Sequence, residues 1–155
     1  MFEEFDKRFI AFMQQRGITI LRVALGIIFL WFGALKIAGV SPVANLIQSA
    51  YPFLPTNEFV LLLGAWEAAI GIGLIFKLSL RATLALLWMQ MAGVMLSPVL
   101  APSVFFNAGN PLLLTVEGEF LVKNLVLIAA SIVVGGYQVR PWRDKKEIPH
   151  PNFPP

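Results

Sequence analysis

The sequence predicts an all-α membrane protein: an antiparallel bundle of four transmembrane helices, preceded by an N-terminal amphipathic helix. Three observations lead there. Of 155 residues, 57% are hydrophobic and 14% charged, against roughly 45–50% and about 25% in soluble domains. The mean hydropathy is +0.74. The apolar residues also gather into four segments, each about the 20 residues that a helix needs to cross the hydrocarbon layer. No room remains for a separate soluble catalytic domain.

In chain order, residues 1–16 form the amphipathic segment. Phe2, Phe5, Phe9, Phe12 and Met13 fall on one helical face, with Glu3, Glu4, Asp6, Lys7 and Arg8 away from it, the pattern of a helix lying on a membrane surface. Gly17, a helix weakener, is expected to separate it from the first span. The four-helix domain covers 17–138, with spans at about Ile18–Val40, Glu58–Phe76, Leu80–Leu100 and Glu119–Gln138. Lys36 interrupts the end of the first apolar stretch and no clean small-x-small site follows, so that stretch reads as a retained span, not a signal peptide.

Ser41-Pro42 signals the start of a short helix, Pro42–Ala50, closed by Tyr51-Pro52-Phe53-Leu54-Pro55 with an aromatic at the interface. Lys77-Leu78-Ser79 permits only a tight hairpin. The third connection, Pro98 to Gly118, is apolar enough to tuck into the mouth of the bundle. Residues 139–155 form a basic, proline-rich tail.

Charge gives the orientation. Ten of the twelve basic residues fall on one side: Lys7, Arg8, Arg16 and Arg22; Lys77 and Arg81; Arg140, Arg143, Lys145 and Lys146. The first and third connections carry none, so the positive-inside rule puts both termini in the cytoplasm. The net charge of +3 therefore points to membrane ends and not to nucleic acid. Arg22 and Arg81, at cytoplasmic helix ends, are expected to meet lipid phosphates.

Each span carries small or polar residues on one face. These are Arg22, Gly26, Phe29, Gly33 and Lys36; then Gly64, Glu67, Gly71 and Leu74; then Thr83, Leu86, Gln90, Gly93 and Ser97; then Glu117, Leu121, Asn124, Ile128, Ser131 and Gly135. Small residues allow close packing, and Gln90, Asn124 and Ser131 suit interhelical hydrogen bonds. Glu67 is different, because an unpaired carboxylate deep in a span is expensive. Its candidate partners are Lys123, whose long stem could reach down, and Lys36, with Gln90 entering at the same level. A neutral, hydrogen-bonded Glu67 and a local Glu119–Lys123 pair compete with these. Trp31, Trp66 and Trp88 lie well inside their spans, as bundle filling or as the wall of a flat-ligand pocket, whereas Trp142 is placed as an interfacial residue.

With no cysteine and one histidine, His150, the chain offers no disulfide, iron–sulfur cluster, metal site or covalent cofactor of its own. Redox chemistry would need an organic carrier or a partner.

The run Leu21-Arg22-Val23-Ala24-Leu25-Gly26 through Trp31-Phe32-Gly33-Ala34-Leu35-Lys36 resembles the first helix of the DoxX-like integral membrane superfamily. Ser41-Pro42-Val43-Ala44-Asn45, Gly64-Ala65-Trp66-Glu67-Ala68-Ala69-Ile70-Gly71 and Gly118-Glu119-Phe120-Leu121-Val122-Lys123-Asn124-Leu125 are similar, in the same order, to its inner-membrane branch associated with reactive-chlorine resistance. The first outer connection is shorter than in that branch, and Asn124 stands where an acid often follows the lysine.

The resemblance, taken with the buried acid–base cluster and the deep tryptophans, gives as the lead expectation a multi-pass protein of the bacterial cytoplasmic membrane that binds a quinone or similar amphipathic molecule in an intramembrane pocket and supports a redox or oxidative-stress partner. Lys36, Glu67, Gln90, Lys123 and Asn124 are the candidate polar contacts, and Trp31, Trp66 and Trp88 the candidate ring contacts. A lipid ligand, a homo-oligomer, a small-solute or ion transporter and a non-catalytic scaffold are the other readings.

Overall fold

The computed structural model describes residues 2–50, 53 and 55–139. Trp142, His150, the basic tail from Arg140 onward, and Tyr51, Pro52 and Leu54 lie outside the described residues. Four helices are long and apolar enough to cross a membrane: α1 (Phe2–Ile37), α3 (Thr56–Ile75), α4 (Leu80–Leu100) and α6 (Val116–Gln138). The short helices α2 (Val43–Ala50) and α5 (Pro102–Phe105) sit in the first and third connections. The protein is a multi-pass membrane bundle in which α1 packs on α3 and α6, and α4 packs on α3 and α6, closing a ring of four.

The first span differs from expectation at its start. α1 runs unbroken for 36 residues, through Gly17, at about 54 Å for ~1.5 Å per residue. One glycine costs a helix only about 1 kcal/mol, less than is needed to end it without a cap or a proline. Among the described residues none before Arg22 is buried, so residues 2–16 extend beyond the bundle.

Local chemistry sets the other boundaries. Ser41 Oγ accepts from the Val43 amide at 3.4 Å, so α2 starts one residue after Pro42. In the α3–α4 hairpin, Lys77 and Ser79 take left-handed backbone conformations, and Thr83 Oγ1 donates to the Leu78 carbonyl at 2.8 Å. α6 starts earlier than expected because Thr115 caps it. Its Oγ1 accepts from the Gly118 amide at 3.1 Å and donates to the Val104 carbonyl at 2.7 Å. That second bond also pins the third connection, whose anchor Phe105 is 2% exposed. The expected tucking holds for Phe105, while the tip at Leu112 and Leu113 stays exposed.

Between apolar helices in lipid, close packing and interhelical hydrogen bonds replace the hydrophobic drive. The α1–α3 seam uses the first route. A Cβ added at Gly33 would lie 2.6 Å from the Gly64 carbonyl oxygen, and one at Gly71 would lie 2.5 Å from the Leu30 amide nitrogen. The two backbones therefore touch, with Gly26 and Gly33 of α1 set antiparallel against Gly71 and Gly64 of α3. Leu25, Phe29, Ile70, Leu74, Leu84, Leu87, Met91 and Val134 fill the interior beside that seam.

Candidate functional site

The expected stripes on the first two spans are the buried ones. Arg22, Gly26, Phe29, Gly33 and Lys36 are all buried on α1, as are Gly64, Glu67, Gly71 and Leu74 on α3. The glycine contacts hold these faces together and set the level of the charges. Glu67 lies near the middle of α3, about 16 Å from its start at ~1.5 Å per residue. Lys36 Nζ donates to Glu67 Oε2 at 2.6 Å, with side-chain exposures of 6% and 10%. From α4, Gln90 Nε2 donates to Glu67 Oε1 at 2.6 Å.

Three helices thus converge on one carboxylate, each oxygen taking one donor. This arrangement satisfies the main condition for a buried ion pair, that the remaining lone pairs also find donors. It is not saturated. An ammonium has three N–H donors, and Gln90 Oε1 is buried without a hydrogen-bond partner. The cluster can therefore accept a group that both accepts from nitrogen and donates to a carbonyl.

Lys36 also lines a cleft of about 270 Å³ at the α2 end of the bundle, with Gly39, Ser41, Ala44, Asn57 and Val60. One residue thus joins the buried cluster to an opening between α1, α2 and α3.

The structure brings Lys36, Glu67 and Gln90 together and leaves the other candidates elsewhere. Lys123, expected as a partner of Glu67, is 69% exposed and sits 4.0 Å from Glu119 of its own helix, with its ammonium 5.1 Å from the Phe120 ring centroid. Helical side chains tilt toward the helix N-terminus. On α6 that direction leads out of the bundle end; on α1 it leads inward, so Lys36 points down to Glu67 instead of snorkelling. Asn124 is half-buried and makes no hydrogen bond among the described residues.

The tryptophans do not form a common wall. Trp31 faces outward at 64% exposure. Trp66 Nε1–H donates to the Leu86 carbonyl at 3.1 Å, and Trp88 Nε1–H donates to Ser131 Oγ at 2.9 Å. The last two are clamps, α3 to α4 and α4 to α6. On α4 the buried face is Leu80, Thr83, Leu84, Leu87, Met91 and Ser97; it shares only Thr83 and Ser97 with the expected stripe, and Gly93 is exposed.

Arg22 corrects a further expectation. It is 7% exposed, and its Nη1 donates to the Leu74 carbonyl and to the Ile75 carbonyl at 2.9 Å. These belong to the last turn of α3, where helix carbonyls lack intrahelical partners and the macrodipole is negative. Its place on the same stripe as Gly26, Gly33 and Lys36 was the available signal. Against protein-family models, curated proteins and solved structures alike, the chain finds no match.

Proposed function

We propose that the chain is a DoxX-like protein of the bacterial cytoplasmic membrane. On this reading it binds a quinone or similar amphipathic small molecule at the Lys36–Glu67–Gln90 cluster, and so serves a redox or oxidative-stress partner. The observation that carries the reading is a buried, charged cluster with uncommitted hydrogen-bonding capacity, one member of which lines an open cleft. Buried ionisable groups in a span are costly, and they are kept mainly at ligand and ion sites. A quinone carbonyl would accept from the Lys36 ammonium, and a quinol hydroxyl could in addition donate to Gln90 Oε1. The basic residues at the α3–α4 hairpin and before the first span support cytoplasmic termini.

A scaffold reading is favoured by a different observation: Lys36, Trp66, Trp88 and Gln90 each already tie two helices together. Thermal unfolding of the purified protein in detergent separates the two. A specific ligand stabilises the folded state by mass action, by about 2.7 kcal/mol at 100 times Kd, and the melting temperature rises with its concentration. Ubiquinol is expected to raise the midpoint saturably, Lys36→Met and Gln90→Leu to abolish the rise, and Lys123→Met to leave it. A shift that never saturates and survives both cluster substitutions would favour the scaffold.

A further inference from the structure

The first sixteen residues carry a surface that the bundle does not use. Phe2, Phe5, Phe9, Phe12 and Met13 are all exposed, Phe2 by 89%, and Phe5 and Phe9 stack with ring centroids 6.3 Å apart. The direction of this stripe is informative. Phe2, Phe9, Met13, Ile20, Ile27 and Trp31 follow one another at steps of seven, four, seven, seven and four residues, which keeps them on one line along a helix. Ile20, Ile27 and Trp31 lie on the exposed apolar side of the span, the side that faces lipid. The aromatic stripe of the arm is thus a direct continuation of the lipid-facing side of α1.

We propose that this arm is a membrane-surface anchor, swinging about Gly17 away from the bundle to lay its aromatic stripe on the lipid–water interface at the hairpin end. When a helix bends outward from a bundle, its outward face becomes the face turned to the bilayer. Only a stripe collinear with the lipid-facing side of the span is correctly placed for that. α1 is unbroken in this structure, but nothing lies within 4 Å of a Cβ added at Gly17, so no packing contact opposes a bend there, and the glycine lowers its cost by about 1 kcal/mol.

The polar side fits the same occupant. Glu4 and Arg8 pair at 3.0 Å and stay exposed, while Arg16, next to the bend, can reach headgroups. Glu3, Glu4 and Asp6 balance Lys7, Arg8 and Arg16 in number, so attachment is apolar and not directed at anionic lipid.

The test uses the absence of cysteine in the chain. Phe9→Cys and Lys7→Cys, on opposite faces of the arm, are each spin-labelled in the full chain and reconstituted into phosphatidylcholine vesicles. Collision rates with oxygen and with a water-soluble nickel chelate are then compared. The expected result is a Phe9→Cys label that collides preferentially with oxygen, a Lys7→Cys label that collides preferentially with the chelate, and the same pattern in about 0.1 M and about 1 M salt. Preference for the chelate at both sites would mean an arm standing straight in water. Shielding of the Phe9→Cys label from both reagents would mean a protein partner, such as a second copy. Loss of the pattern at high salt would mean electrostatic attachment. Each of these three outcomes overturns the proposal.

Discussion

Lys36, one residue from the end of α1, meets the carboxylate of Glu67 near the middle of α3 at 2.6 Å. The reach is set by direction and by room. The lysine stem descends because side chains tilt toward the helix N-terminus. It fits because its path crosses Gly64, where an added Cβ would lie 2.8 Å from Lys36 Cβ.

The first prediction follows from that pair. Removing one member of a buried ion pair costs about 3–5 kcal/mol, whereas replacing both is often near neutral. Glu67→Gln is expected to lower the unfolding midpoint in detergent strongly, and Glu67→Gln combined with Lys36→Met to recover most of the loss. Lys123→Met should stay within about 0.5 kcal/mol of the parent, as an exposed substitution does. Additive losses in the double variant would break the assignment.

The glycines make a second prediction, with opposite signs at two sites. Gly71→Ala would place a methyl 2.5 Å from the Leu30 amide nitrogen, which forces α1 and α3 apart at about 1–3 kcal/mol. Gly93→Ala meets nothing within 4 Å and should instead gain up to about 1 kcal/mol from helix propensity. Thermal unfolding of the two single variants, side by side, measures both.

Arg22 supplies a third. A hydrogen bond to a charged group contributes about 1.5–3 kcal/mol, so Arg22→Met should destabilise by that order. Arg22→Lys should restore only part, because an ammonium is not a planar fork that spans two carbonyls. Amide exchange in the α3–α4 hairpin, Lys77 to Ser79, should quicken in Arg22→Met before exchange in α6 does. Equal quickening throughout the bundle would show a general loss of packing and not the loss of a helix cap.

Orientation gives the fourth. Reporters fused after Gly39 and at Gly109 should be active on the outer side, and reporters at Ser79 and at the C-terminus on the cytoplasmic side. Opposite placement would reverse which leaflet holds the Lys36 cleft.

Much of the architecture was legible because hydropathy and length act over about 20 residues and average out local detail. Seven of the eight span ends fall within three residues of expectation, Ile37, Thr56, Ile75 and Leu80 among them, and only the start of α1 does not. The stripes of α1 and α3 were legible too, since glycine and charge at three- and four-residue spacing admit one burial pattern. What escaped was directional. Lys123 and Lys36 look alike by distance along their helices, and only the opposite sense of the two chains, with the tilt of their side chains, separates them. Arg22 escaped because a basic residue at a span end fits a phosphate as well as it fits a carbonyl, and the choice depends on where a different helix ends.

The glycine seam also has a consequence in time. Membrane helices enter the bilayer in chain order, and the N-terminal parts of a protein are made first. Everything that neutralises Glu67 by charge lies within α1 and α3, whose backbones meet at Gly33, Gly64 and Gly71. The carboxylate can therefore find its lysine while α4 is still being synthesised, and Gln90 closes onto a pair already formed. A seam displaced by added methyl groups would leave Glu67 waiting in the membrane without its counter-charge, so such variants should be cleared by proteolysis during biogenesis to a degree that their equilibrium stability alone would not foretell.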